Sequence, residues 1–354
     1  MQSDMHYYGT YVMARTAGLS MNAAKIIATS AQFVDDNAQT GNIEFGDASS
    51  CSVEPTAFHT TSVYNVNSEA QRNVWVPFHF IPGNEGEGFT ERLVCRKDSP
   101  IAQQMRDHHL TQKEKPYYLE LVGIMAHVYA DTFAHYGFSG VSSRQNRVDN
   151  ESFEFEGIRG EIKDYIVSKK SSFFEKFTPL IRNIKSNLAE EVSGALGHGA
   201  VVTFPDRPFL KWRFNYQYHG DSGWRDNTNT FLEYCEKIHA AFRQVAMVCP
   251  QHRDESQYRS WVNLKESVLA VLRVQGCKQQ RMDAWCEATV KRKLFNVSET
   301  IPEYQDWNAG FEDLSQKTSD EAMQFPAYRF YQAASYHRWY VLRDLLPMHK
   351  LMVI

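Results

Sequence analysis

MAHVYADTFAH, residues 125–135, sets His127, Asp131 and His135 at successive intervals of four among small and apolar neighbours. On an α-helix each step of four advances about 400°, so the three fan over roughly 80° of one face. Side chains at i and i+4 lie one above the other. Gly123, Ala126, Ala130 and Ala134 are small enough to let other helices come close and add further ligands. The segment predicts a helix that forms one wall of a metal site. Taken alone, it also suits an ordinary helix with capped or exposed histidines.

Working outward, Pro116 takes a favourable first-turn position and the helix stops near Gly137. Upstream, residues 5–17 read as a helix ending at Gly18, a C-terminal cap. Ser20 caps the next helix, SMNAAKIIATSAQFVDD, whose apolar face is Ala24, Ile27, Ala28, Ala31 and Val34. Residues 39–100 lose helical periodicity, and loops and short strands are expected there. NVWVPFHFIPG (73–83) reads as extended, closing in a Pro-Gly turn. A polar loop (139–160) is followed by helices over 160–196 and a break at GHG (197–199). Residues 200–214 form an irregular connector. From about 228 the pattern is again helical, clearest in AYRFYQAASYHRWYVLRDLL. The expectation is a mainly α helical bundle with an irregular loop and short-strand insertion. Residues 1–225 form a metal-binding catalytic domain, and 226–354 a helical extension that can pack into the same domain.

The composition is that of a globular protein: 43% hydrophobic, 23% charged, 13% aromatic, over 354 residues. A formal net charge of −4 without a basic run argues against a nucleic-acid partner. Of the six cysteines, none forms C-x-x-C, so any zinc must use His and Asp. The N-terminus lacks the basic start and uninterrupted apolar core of a secretory signal, and no window is long enough to span a membrane. The chain is expected to be made in the cytoplasm, with export by a signal-independent route left open.

Other candidate ligands are scattered. His6 begins the first helix. Asp35 and Asp36 end the second, where two acids oppose the helix dipole and a cation would favour them. His79 lies in PFHFIPG, with His59 in TAFHTTS a weaker candidate of the same kind. His108 and His109 sit in a charged stretch and read as solvated. His198 and Asp206 frame GHGAVVTFPDRP, a loop stiffened by Pro205 and Pro208. Mixed imidazole and carboxylate ligation suits zinc in hydrolytic sites.

Together DMHYYGTYVMARTAG, SAQFVDDN, PFHFIPG, MAHVYADTFAHYGFSG and GHGAVVTFPDRP resemble the bacterial zinc-metallophospholipase C family. More distantly they resemble the zinc-dependent phospholipase C and single-strand nuclease superfamily, an all-α fold with a trinuclear zinc cluster. The resemblance covers roughly residues 4–214. It implies that His6, Asp35 or Asp36, His79, His127, Asp131, His135, His198 and Asp206 bind two or three zinc ions. Asp131 would bridge two of them, and Asp35 or Asp36 would double as general base. The distant relatives also use the mature N-terminal amine and carbonyl. Here five residues precede His6, so those ligands are left out. The relatives also space the second helix histidine more than four residues from the aspartate.

The implied activity is hydrolysis of the glycerol-side phosphodiester of a phospholipid, giving diacylglycerol and a phosphorylated headgroup during transient membrane-surface contact. Phe78, Phe80 and Phe138 would shape a lipid-facing rim, and the aromatic helix near 327–346 would pack internally rather than dock on a membrane. A single-strand nuclease on the same metals, and a non-catalytic helical protein with structural histidines, are the alternatives. An HD-type phosphohydrolase needs a His-Asp dipeptide, which the sequence lacks.

Overall fold

The computed structural model describes residues 1–58, 67–169, 201–310 and 314–353. A π-helical stretch, Asp4–Gly9, runs into α1 (Thr10–Thr16), and the chain turns at Gly18, whose φ of +96° a side chain would resist. Ser20 caps α2 (Met21–Asp36), its side chain accepting from the Ala23 amide. A hairpin of β1 (Gly41–Glu44) and β2 (Ser50–Val53) then returns the chain to the end of α2, where the Thr56 hydroxyl donates to the Val34 carbonyl.

The predicted extended segment at 73–83 is instead helical. A π-helical stretch, Gln71–Trp75, continues into α3 (Val76–His79). Pro77 lies just past the junction of the two helical stretches, and Val76, Pro77, Phe78 and His79 are all buried. Burial on every side erases the 3.6-residue pattern that would have revealed a helix. The helix breaks at Phe80, φ −138° and ψ 61°, shortly before Pro82.

Next come α4 (Pro100–Leu110) and α5 (Tyr118–Ala134). Every residue of α5 is buried, so it is the central rod and not a surface helix. It packs against α2, α3, α4 and two later helices, α6 (Asn227–Val248) and α9 (Pro326–Trp339). Its approach to α2 depends on Gly123: a Cβ there would lie 2.4 Å from the Ile27 carbonyl oxygen and 2.5 Å from Ser30 Cβ. The Ser30 hydroxyl donates to the Glu120 carbonyl at 2.9 Å, tying the two helices at the same level. Because this seam is so narrow, side chains from the ends of both helices reach one another.

Short strands form a separate cap. β3 (Glu154–Glu156), β4 (Lys211–Arg213) and β7 (Arg225–Asp226) make an antiparallel sheet, with a small hairpin of β5 (Asn215–Tyr216) and β6 (Gly220–Asp221) beside it. Their aromatic core includes Phe138, Phe204, Trp212 and Phe214. The main core runs from Met5 to Val353, so side chains from before and after residue 225 share it. α7 (Trp261–Leu272) and α8 (Lys278–Val290) complete the bundle. The fold is mainly α, and among the described residues no helix is long and apolar enough to cross a membrane.

Several expectations need correction. His109 is buried, not solvated, and His108 stacks on Tyr340 at 3.6 Å, because the end of α4 lies under the C-terminal segment. Phe78, Phe80 and Phe138 are core residues rather than a rim: Phe78 lies in the main core and Phe138 in the cap, while Phe80 stacks on His135. α9 is a packing helix, although Trp339 at its end is half exposed.

Glu120 in the first turn of α5 is buried, and burial pushes its carboxyl up to about 7 from an unfolded value of about 4.5. Between those values the folded state holds a proton that the unfolded chain has released, so stability falls as pH rises from 4.5 through 7. Glu120→Gln removes this term. It is expected to stabilise the protein by up to roughly 3 kcal/mol at pH 8 and negligibly at pH 4, as denaturant melts at the two pH values will read.

Candidate metal site

The carboxylate of Asp131, near the C-terminal end of α5, is the hub. Its Oδ2 lies 3.1 Å from His79 Nδ1, 3.3 Å from His127 Nε2 and 3.5 Å from His135 Nδ1. Its Oδ1 lies 3.3 Å from His6 Nε2 and 2.6 Å from the amino nitrogen of Met1. Asp35 closes one side, with Oδ1 3.9 Å from both His79 Nδ1 and His127 Nε2 and Oδ2 3.8 Å from His6 Nε2. Asp206 closes another, with Oδ1 3.4 Å from His135 Nε2 and from the Met1 amine. All of these side chains are buried except Asp35, which is about one-third exposed and marks the mouth.

The elements explain the convergence. His127 rises from α5 toward α2, and its Nδ1 is 2.7 Å from the Ala31 carbonyl. His79 ends α3, with Nε2 2.9 Å from the Thr56 carbonyl that the β1–β2 hairpin delivers. His135 is no longer helical (φ −92°, ψ 5°) and its Nδ1 is 3.0 Å from the His79 carbonyl. That departure from the helix swings its ring out to Asp206, so a four-residue interval from Asp131 does not confine the two to one patch. Arg225 fixes this end of α5 by donating to the Ala134 and Tyr136 carbonyls at 3.0 and 2.9 Å.

Those backbone contacts assign the tautomers. A carbonyl accepts only, so His127 carries its proton on Nδ1, His79 on Nε2 and His135 on Nδ1. With a single proton on each ring, the opposite nitrogens present lone pairs. His79 Nδ1 and His127 Nε2 stand 3.3 Å apart and both face Asp131 Oδ2. Both nitrogens of His6 lack a hydrogen bond, and its ring stacks on His127 at 3.9 Å. Acceptor facing acceptor in a buried site is repulsive unless a proton or a metal cation lies between them. Imidazoles that donate their outer N–H to a backbone carbonyl and turn the inner nitrogen toward a shared centre are the usual arrangement of metal-ligating histidines.

Charge states follow the same geometry. Burial disfavours charge on Asp131, but His135, the Met1 amine and His127 more than offset this and hold its carboxyl well below the usual range. Burial, the neighbouring His127 and the Met1 amine keep His6 well below its ordinary value, and so neutral. Burial raises Asp35 against the pull of His127 and His79. A carboxylate among imidazole nitrogens is a donor set for a divalent cation. Two subsets, His6 with His127 and Asp131, and Asp35 with His79 and His127, each bring three donor atoms within 4.8 Å of one another and could hold a metal ion.

Of the residues singled out in the sequence, the fold gathers His6, Asp35, His79, His127, Asp131, His135 and Asp206. It does not bring Asp36 in. Asp36 is one step of about 100° further round α2, and its Oδ2 accepts from Tyr304 at 2.6 Å and Gln32 at 3.1 Å. His59 and His198 lie outside the described residues. The two acids should therefore separate experimentally: Asp35→Asn is expected to lose metal, whereas Asp36→Asn keeps it and destabilises the fold by about 1 kcal/mol. Metal content and melts of the two variants check this.

Sequence reading missed the Met1 amine and the support from distant chain segments. His337 Nε2 donates to the Pro77 carbonyl at 2.8 Å, two residues before His79. Its Nδ1 therefore accepts from His109 Nε2 at 2.8 Å. Tyr304 and Asn308 hold Asp36 and so the end of α2. No local motif marks these residues, which lie some 200 to 270 positions from what they support.

A family model described as a family of unknown function, DUF6765, matches residues 1–345. No curated protein and no solved structure matches the chain.

Proposed function

The chain belongs to this family of unknown function, and we propose that it is a zinc-dependent phosphodiester hydrolase of the phospholipase C type. The observation that carries the metal reading is the convergence of His79 Nδ1 and His127 Nε2 on Asp131, with His135 Nε2 facing Asp206. Imidazole and carboxylate without thiolate favours zinc over softer metals. His127 has one free lone pair, because Nδ1 is bonded to Ala31, so it serves one ion only. A second ion then needs a carboxylate shared between the two subsets. Asp131 supports that role, with Oδ1 toward His6 and Oδ2 toward His79 and His127.

Held by His6, His79, His127, Asp131 and Asp35, zinc would supply Lewis acidity toward phosphoryl oxygens and would lower the pKa of water at the site. The chain supplies the rest. Asp35, partly exposed at the mouth and raised by burial, is the group placed to accept the proton of the attacking water. Asp131 and Asp206 hold the metals rather than the proton. The resemblance of the motifs around His6, Asp35, His79 and His127–His135 to metallophospholipases favours diacylglycerol as leaving group.

The test loads the purified protein with zinc and compares release of diacylglycerol from phosphatidylcholine with cleavage of single-stranded DNA. Phospholipid turnover that a chelator abolishes and zinc restores is expected. Cleavage of DNA alone would move the reading to a nuclease, and no turnover of either would remove the enzymatic reading.

A further inference from the structure

Arg207 adjoins Asp206 and is 3% exposed. Among the described residues three other buried arginines pair with carboxylates, whereas Arg225 shares with Arg207 a buried Nε that has no acceptor. Arg15 pairs with Glu299 and Asp254, and Arg338 with Glu54. Arg281 is saturated by both oxygens of Asp4, the Gly276 carbonyl and Gln2 Oε1. Arg225 donates to two carbonyls at the end of α5. Arg207 has a single side-chain hydrogen bond, from Nη2 to Thr203 Oγ1 at 3.0 Å. Its Nε is buried with no acceptor, and among the described residues no carboxylate forms an ion pair with it.

A guanidinium cannot shed its proton. Burying it unpaired costs several kcal/mol, and the like charge of Arg281 adds to that cost. Asp4, whose charge also acts on Arg207, is already committed to Arg281. The backbone around Arg207 is nonetheless clamped: Asn227 Nδ2 donates to the Phe204 carbonyl at 2.8 Å and the Arg207 carbonyl at 2.9 Å. The guanidinium lies 5.5 Å from the Tyr165 ring centroid, which sets its plane. A buried cation with an unpaired Nε–H, one residue from a carboxylate of the His–Asp cluster, is suited to receive an anion.

We propose that Arg207 is an oxyanion-binding residue at the Asp206 edge of the cluster, and that its ligand is a phosphate group. The planar fork suits an anion with two or more acceptor oxygens on one centre, which phosphate provides and a halide does not. This rests on the phosphodiesterase reading only for the source of the phosphate, substrate diester or free product.

The experiment is calorimetric titration of the full chain, zinc-loaded and metal-free, with inorganic phosphate and separately with glycerophosphocholine. Arg207→Met and Arg207→Lys are titrated alongside, with zinc content measured in each. The expected result is at least a tenfold loss of phosphate affinity in Arg207→Met at unchanged zinc content, with a smaller loss in Arg207→Lys. If Arg207→Met does not fold, the smaller loss at unchanged zinc content is read in Arg207→Lys, which keeps the charge but not the fork. Tighter binding of the diester than of phosphate assigns the site to substrate, and the reverse assigns it to product. Phosphate affinity that is unchanged in both variants, or absent in the wild type, overturns the inference even where zinc binds. Conversely, a protein that takes up no zinc but loses phosphate binding with Arg207 keeps the anion site and loses the phosphodiesterase reading.

Discussion

Asp131→Asn is expected to give a folded protein that has lost at least one zinc and most of its activity. The substitution is isosteric, so packing around a side chain that is 1% exposed is preserved. What changes is charge and acceptor capacity. Both carboxylate oxygens are engaged, Oδ1 by His6 and the Met1 amine and Oδ2 by His79 and His127. An amide turns one of those acceptors into a donor pair and leaves the ring lone pairs with no anion to share a cation with. Loss of an outer-sphere partner alone typically costs ten- to a hundredfold in metal affinity, so loss of a shared ligand is expected to cost about a hundredfold or more. Elemental analysis and phospholipid turnover of the variant read the two effects. Full retention of both would remove Asp131 from the centre of the site.

The second large effect is on stability. Stripping the metal with a chelator is expected to lower the melting temperature markedly, because it leaves three inward ring lone pairs and two carboxylates crowded without a cation. A ligand present at a thousand times its dissociation constant stabilises the native state by about 4 kcal/mol. For a chain of this size that corresponds to roughly 5–10 °C. The fall should be reversed by added zinc and should be absent in Asp131→Asn, which has little metal to lose. Thermal melts of both proteins with and without chelator check this. Unchanged melting of the wild type on chelation would mean that protons, not metal, satisfy the cluster.

Much of this was legible in the sequence, for identifiable reasons. The small-residue face of α2, the Ser20 cap and the Gly18 turn are local signals and the chain obeys them. The three ligand candidates of α5 share a face because helical spacing puts them there. What was hidden depends on contacts distant in sequence. Whether Asp35 or Asp36 turns inward is a matter of helix phase, settled by Tyr304 on the outer side. The helicity of 71–79 was masked by the burial of every residue of Val76–His79 and by a proline that reads as a breaker. The pairing of His135 with Asp206, which the resemblance implied, depends on the end of the helix at Ala134, a boundary that helical spacing alone does not give. The carbonyls that orient the rings, those of Ala31, Thr56 and His79, carry no sequence signature at all.

The most direct measurement is elemental analysis of the wild-type protein purified from zinc-supplemented medium. Two or three equivalents of zinc per chain are expected if the inward lone pairs around Asp131 exist to hold cations. Less than about one equivalent of any divalent metal would contradict that, and the cluster would then be a proton-bridged structural core.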